Sequence, residues 1–250
     1  MKILEGQLSI VVCSKSDYSG LIRTILSLTQ LKDDLPEIIL IVSDYSHEEI
    51  SNIAHRFIAL RLNIIITPAE GIYAAQNIGL KRVKNKNIMF LNGGDELANP
   101  LGIKRLVAMI GENAWGYGSL KLINVSTNKS SVYRFNYIKI LHRLGLKYVP
   151  HPSTIIKVDL GNKLRAFDVK YKSAADHKLL LAFANISKPV VIKETISHFY
   201  LGGTSTRKQR EIITDSKNIS RDIYGYFFGI KALDSIIWNI LLLLRLILKS

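Results

Sequence analysis

The chain has 250 residues, 48% of them apolar, and a formal net charge of +14 from 34 Lys or Arg against 20 Asp or Glu. That apolar share is enough to bury a core and excludes a disordered chain, while Cys13, the single cysteine, excludes a disulfide scaffold and points to a reducing compartment. The first apolar run, Leu8–Cys13, is too short for a signal peptide, and the charge alone fits either a nucleic acid or an anionic membrane. The charge is unevenly spread. Residues 1–100 hold 10 basic and 11 acidic side chains, and residues 101–250 hold 24 and 9.

Leu8–Cys13 is a β-branched run and predicts a buried strand. Gly20–Leu31 puts Leu21, Ile25 and Leu28 on one helical face. Glu37–Val42 predicts a second strand, and His47–Leu60 a second helix through Ile50, Ile53, Ala54 and Phe57. Leu62–Thr67 is a third strand, ended by Pro68; Gly71–Lys84 is a third helix and Asn87–Leu91 a fourth strand. Strands alternating with helices through short loops imply an α/β fold, a mostly parallel sheet with helices on its faces. Ligands of such sheets lie beyond the carboxyl ends of the strands, here Ser14–Asp17, Ser43–Ser46, Pro68–Gly71 and Asn92–Glu96.

After Pro100 the pattern is mixed. Ile103–Ile110 predicts a helix, and Trp115–Asn124 and Val132–Tyr137 the strands of a small antiparallel addition. Thr154–Ile156 is a short strand, Ala174–Phe183 a helix, and Val190–Phe199 a strand closed by Gly202 and Gly203. The tail Ile236–Leu248 is apolar nearly all round but too short to span a bilayer, which takes about 20 residues. With Lys231, Arg245 and Lys249 in and around it, it fits a helix lying in the plane of a membrane; a helix packed on the domain or in a homodimer interface is the alternative.

Several chemistries lack their motifs. No G-x-G-x-x-G follows a strand, no P-loop and no G-x-S-x-G elbow is present, and no Cys cluster could hold zinc. Lone carboxylates at loop positions remain. Asp95, in FLNGGDEL, follows two glycines that let the backbone turn sharply; it could hold Mg²⁺ or Mn²⁺ on a diphosphate, or shape a turn and cap the helix after Pro100. Asp176, at the start of a helix, could be a first-turn carboxylate favoured by the helix dipole or a general base. Asp44 could form an Asx turn or accept a hydrogen bond from a nucleobase. His151 stands between two prolines and has no chemical role on spacing alone.

Taken in order, these segments resemble the family 2 glycosyltransferases of the GT-A fold. LSIVVCSKSDYSGLIRTILSL resembles the opening strand, loop and helix, and EIILIVSDYSHEE the loop that holds the base. ITPAEGIYAAQNIGLKRVKNKNIMFLNGGD resembles the signature E-x-GIYDAMN-x-G … FLN-[SA]-GD of bacterial polysaccharide transferases, among them the colanic-acid type. HPSTIIKVDLGNKLRAFDVKYKSAADHKLLL resembles the acceptor-side pattern, and YLGGTST the GG-x-S loop. The resemblance covers roughly residues 8–225 and implies an inverting transferase that moves a sugar from a nucleoside-diphosphate donor to a lipid-linked or other glycan acceptor.

The resemblance assigns roles by position. Ser14, Asp44, Glu70, Gly71 and Asn77 would bind the nucleotide sugar. Asp95 would hold the metal, Mg²⁺ or Mn²⁺, and the diphosphate. Asp176 would be the general base, and His151, Gly202 and Gly203 would belong to the acceptor side. Residues 1–98 would form the donor half, 99–205 the acceptor half, and 206–250 a helical, membrane-associating segment. The protein would then sit on the cytoplasmic face of the inner membrane, against anionic lipid. Ser43 and Tyr45 interrupt the usual acidic and glycine-rich loop, Ala74 replaces the Asp of GIYD, Gln76 replaces Arg or Met, and Gly94 removes one carboxylate of a DXD. These departures leave open the donor's identity and a non-catalytic, nucleotide-binding or scaffolding member. A nucleic-acid-binding protein would explain the charge but not the ordered carboxylate loops.

Overall fold

The structure, a computed structural model, describes residues 2–201, 209–226 and 229–247. The first four strands are β1 (Leu8–Lys15), β2 (Glu37–Ser43), β3 (Asn63–Ile66) and β4 (Asn87–Asn92). Between them run α1 (Tyr18–Leu28), α2 (His47–Arg56) and α3 (Ile72–Arg82). There follow β5 (Glu96–Leu97), α4 (Pro100–Ile110), β6 (Trp115–Asn124), β7 (Lys129–Tyr133), α5 (Lys139–Arg143), β8 (Thr154–Lys157) and α6 (Val158–Lys163). The described chain closes with α7 (Ala175–Ile186), β9 (Val190–Leu201), α8 (Gln209–Tyr224) and α9 (Lys231–Ile247). One curled sheet orders the strands β3-β2-β1-β4-β8-β6-β9-β5, with β7 paired to β6. β1 to β4 pair in parallel, and so do β6 and β9; β5, β7 and β8 run against their neighbours.

β1 is buried on both faces because helices cover both sides of the sheet. Its alternate residues serve two cores. Leu8, Ile10 and Val12 pack with Leu21, Ile25 and Leu28 of α1, Ile53 of α2 and Leu106 of α4. Val11 and Cys13 belong to the other core, with Leu80 of α3, Leu179, Leu180 and Phe183 of α7, and Trp115. The helices start where side chains satisfy free amides. Asp17 accepts from the Gly20 N–H on α1, Ser46 and Glu49 form a reciprocal capping box on α2, and Asn99 accepts from Gly102 ahead of Pro100 on α4.

The elements lie close to where the sequence puts them, with one shift and several additions. The strand expected at Val132–Tyr137 is β7, at Lys129–Tyr133. A turn sets its start: the Thr127 N–H donates to Asn124 Oδ1 at 3.2 Å, Asn128 takes a left-handed φ of 51°, and Asn124 pairs with Lys129. Residues 134–137 leave the ladder, and the Phe135 carbonyl instead accepts the buried Tyr117 hydroxyl at 2.7 Å. β5, α5 and α6 carry no periodicity that predicts them; each is one turn of helix or a two-residue bridge fixed by tertiary contact. Gly202 and Gly203 lie outside the described residues.

The N-terminal segment is tied down by one carboxylate. Asp34 accepts the N–H groups of Ile3, Leu4 and Glu5 at 2.8, 2.9 and 3.1 Å and pairs with Lys104 at 3.0 Å. Burial pushes its carboxyl up, but the Ile3 N–H, Lys104 and the other two amides prevail and hold it at about 2, below the ordinary 3.8. Asp34→Ala is expected to destabilise the fold by about 3 kcal/mol at pH 7 in urea unfolding. Because the folded-state pKa is depressed, this stabilisation is complete above the unfolded value and is lost as the pH falls towards 2. The wild-type and variant curves should therefore converge in acid; a gap that stayed constant would contradict the assignment.

Candidate active site

The parallel pairing of β1 to β4 brings four loops to one edge of the sheet. Tyr45 ties two of them together. Its hydroxyl lies 2.6 Å from Ser14 Oγ and accepts the Asp17 N–H at 3.2 Å. Asp44, beside it, takes a left-handed φ of 60° and points to solvent, 3.4 Å from the Lys15 ammonium. Ser43 is turned inward, against Thr67 Oγ1 at 3.3 Å. Glu70 is exposed, and Gly71, with φ 102°, opens α3.

The turn after β4 holds Asp95. Its N–H donates to the Asn92 carbonyl at 3.0 Å, and its Oδ2 accepts the Asn92 N–H at 3.3 Å. The two glycines are geometric necessities. A Cβ on Gly93 would stand 2.2 Å from Ser14 Oγ, and Gly94 has φ 105°. The Gly94 N–H donates to Thr24 Oγ1 at 2.8 Å, and its carbonyl accepts Arg23 Nε and Nη2 at 3.1 and 2.9 Å. Arg23 lies over the Tyr200 ring at 4.1 Å and 3.6 Å from Glu96, which also accepts the Tyr200 hydroxyl at 2.8 Å. Asp95 is 4% exposed, and burial pushes its carboxyl up to about 7 against the opposing pull of the Asn92 hydrogen bonds and Arg23. The cap of the following helix is Asn99, so Asp95 has the turn role but not the capping one.

Asp176 stands in the first turn of α7 and accepts the Tyr73 hydroxyl at 2.9 Å. Burial and the Asp176 charge push the Tyr73 hydroxyl up, so it stays protonated and donates. Below this pair lies an aromatic cluster. Tyr73 stacks on Phe167 at 5.7 Å, Phe90 meets Phe167 edge-on at 5.0 Å, and His151 stacks on Phe90 at 5.6 Å. Burial pulls the His151 imidazole below its ordinary 6.5 against the Asp176 charge. Asn77 spends its amide on the protein: it donates to the Phe167 carbonyl and accepts the Phe167 N–H, both at 2.8 Å.

The edge thus carries two groups of the expected residues, Ser14, Asp44 and Asp95 on the loops of β1, β2 and β4, and His151 with Asp176 beyond them. Tyr73, two residues past Gly71, connects the sides. Tyr73 and Arg23 are not among the residues that the sequence singles out. The GIY triplet marked the first, whereas nothing local marked Arg23, whose partners lie some seventy residues or more further on. Among the described residues no three His, Cys, Asp or Glu side chains converge on a point. The donor set fits a hard cation otherwise ligated by phosphate oxygens and water: Asp95 offers a buried carboxylate whose charge has no full partner.

Residues 9–154 match the family model for glycosyl transferase family 2. An uncharacterized glycosyltransferase of Mycobacterium tuberculosis is 25% identical over 168 residues, which are 65% of this chain and 63% of that protein. The chain spans under two thirds of that relative's length. A fragment of Staphylococcus aureus TarS, residues 1–349 in complex with UDP, superposes with a TM-score of 0.59 at 16% identity, over 90% of this chain and 72% of its own. A mannosyltransferase of Pyrobaculum calidifontis in complex with GDP-Man and Mn²⁺ does so with 0.59 at 11% identity, over 82% and 59%. The fold is of the GT-A type.

Removing the buried charge should stabilise the empty protein. The folded-state pKa of Asp95, about 7 against an ordinary 3.8, means that burying this carboxyl opposes folding increasingly as the pH rises from about 4 to 7, and by a constant amount above that. Without nucleotide or metal, Asp95→Asn should therefore raise Tm at pH 7.5 and leave it nearly unchanged at pH 4. Equal Tm values for variant and wild type at pH 7.5 would refute the burial argument.

Proposed function

The chain belongs to glycosyl transferase family 2, and on that premise we propose that it transfers a sugar from a nucleoside-diphosphate donor to an acceptor hydroxyl with inversion. The observation that carries this is the Tyr73–Asp176 hydrogen bond, which sets a carboxylate of the second half against the donor-side motif. Asp176 takes the proton from the acceptor hydroxyl while that oxygen attacks the anomeric carbon. The bond from that carbon to the diphosphate oxygen breaks on the opposite side, and the nucleoside diphosphate leaves. Tyr73 keeps Asp176 aimed, and the half-buried His151, whose ring stays neutral at pH 7, adds no competing cation beside it. Ser14 and Asp44 line the nucleoside side, and Glu70 and Gly71 flank the sugar. Asn77 acts indirectly, by holding the Phe167 backbone.

Asp95 would hold a divalent cation, Mg²⁺ or Mn²⁺, which when bound supplies positive charge to the leaving diphosphate. The neutral first half supports this, since it has no excess of Lys or Arg to do the same. The ligands of the structural neighbours, UDP and GDP-Man with Mn²⁺, support the donor class. Residues 1–98 would bind the donor and 99–205 the acceptor, a lipid-linked glycan of a bacterial surface polysaccharide.

The segment 206–250 would rest on anionic lipid at the cytoplasmic face of the inner membrane. No described helix is long and apolar enough to cross a membrane. One side of α9 is held by the protein: Asp234 is buried against Arg221 at 2.6 Å, and Trp238 is buried. On the same helix Ile236 and Ile240, one turn apart, are more than half exposed, and Lys231 stands at its start. Such an arrangement suits a helix half sunk in a bilayer surface.

Asp176→Asn should leave donor binding intact and lower transfer by about 10²-fold or more, read as nucleotide release across a panel of nucleotide sugars with Mg²⁺ or Mn²⁺. Near-normal turnover would sink the base assignment. The full chain should bind vesicles containing anionic lipid, and binding should weaken as salt rises. Indifference to both would remove the membrane reading without touching the enzymatic one.

A further inference from the structure

The segment 167–174 leads into α7 and delivers Asp176, yet it holds no regular element of its own. It is fastened to α8. The Tyr171 hydroxyl, on a buried ring, donates to Asp222 Oδ2 at 2.5 Å. The Ser173 N–H donates to Asp215 Oδ2 at 3.3 Å, and its hydroxyl to Glu211 Oε2 at 3.0 Å. Lys178, two residues past Asp176, reaches Asp168 Oδ2 at 2.7 Å and Asp222 Oδ2 at 3.4 Å, and Lys170 adds a second contact to Asp222 at 3.4 Å. Glu211, Asp215 and Asp222 recur at intervals of four and seven, so one stripe of α8 faces this segment.

These bonds do little for the stability of the fold. Asp222 and Lys178 are partly solvated, and such pairs contribute little. α7 is already held by Leu179, Leu180 and Phe183 in the second core. What the bonds do fix is the direction in which the first turn of α7 presents its carboxylate. We propose that Tyr171, Asp222 and Lys178 form a positioning unit for Asp176, so that α8 sets where the base stands. The inference rests on the reading of Asp176 as the base. It also reaches α9, because Arg221, next to Asp222, is the residue that grips Asp234.

The test uses the full chain with Tyr171→Phe, Asp222→Asn and Asp222→Glu, each alone, and Tyr171→Phe in an Asp176→Asn background. Tyr171→Phe and Asp222→Asn should each lower kcat for transfer about ten-fold, since a misplacement of about 1 Å is enough for a loss of that order. The donor KM, donor hydrolysis without acceptor, and Tm should hardly change, and Asp222→Glu should recover part of the rate. In the Asp176→Asn background, Tyr171→Phe should cause no further loss. Unchanged kcat in both single variants, a loss that only follows a fall in Tm, or an additive loss in the double variant would overturn the positioning role. Should Tyr171→Phe fail to fold, Asp222→Asn, which keeps the buried ring, decides the matter. Normal transfer by Asp176→Asn alone would overturn the base assignment, and the positioning role with it.

Discussion

A carboxylate kept out of water is the constraint around which the site is arranged. Asp95 is 4% exposed, and its own turn offers it only the Asn92 amide. A charge so placed is costly unless something neutralises it. Arg23 does so in part but gives its donors to the Gly94 carbonyl, so it fixes the turn more than it neutralises the charge. The turn must lie close against Ser14, and only glycine allows this at position 93. Ser14 is in turn held by Tyr45, which reaches back to Asp17 and so to the start of α1. The loops after β1, β2 and β4 are thus one interlocked unit around a buried carboxylate without a full counter-charge.

The first half of the fold was legible because its signals are local. Leu8–Lys15 and Glu37–Ser43 are buried on both faces, so they read as unbroken apolar runs, and the helices between them show a single apolar stripe. Trp115–Asn124 was legible to the residue despite its glycines, because Trp115 and Tyr117, and then Leu120 and Leu122, fall two apart on either side of a register shift. β7 was misplaced because the turn at Asn124–Asn128, and not the run of β-branched and aromatic residues after it, sets the ladder. At the site, Asp95 stands out from sequence as a carboxylate in a glycine turn, and Asp176 as one at the start of a helix. Their environments do not: that Asp95 is buried and that Asp176 has Tyr73 as partner depend on contacts between distant segments. Asn77 likewise has an environment that its position does not show. Its place in a signature suggested a ligand contact, and the structure uses both ends of its amide to hold the Phe167 main chain.

The two halves of the chain differ in how they handle charge. The first is balanced, and several of its carboxylates cap helices or shape turns, as Asp17, Glu49 and Asp95 do. The second is strongly basic, yet its acidic residues are concentrated where they do mechanical work, on the stripe of α8 and at Asp234. Much of its lysine and arginine excess is therefore left facing outwards, as at Lys139, Lys147 and Lys172. The arrangement separates charge along one chain: a nearly neutral first part and a second part with its basic excess exposed.

β9 is the last strand of the sheet to leave the ribosome, and it is twelve residues long. It closes the whole free edge of β6, in parallel, and it captures β5 at its far end. A parallel partner cannot be found through a hairpin, so β6 must wait for a crossover that runs from residue 125 to residue 189. At a synthesis rate of about 5–20 residues per second, that edge, with Trp115, Tyr117 and Leu120, stays unpaired for seconds. Ser197 of β9 also supplies the hydroxyl that meets Ser153 at 2.6 Å and fixes the turn bearing His151. Until β9 has emerged, the nascent chain is consequently open to edge-to-edge pairing along β6, and the turn bearing His151 lacks the hydroxyl that fixes it.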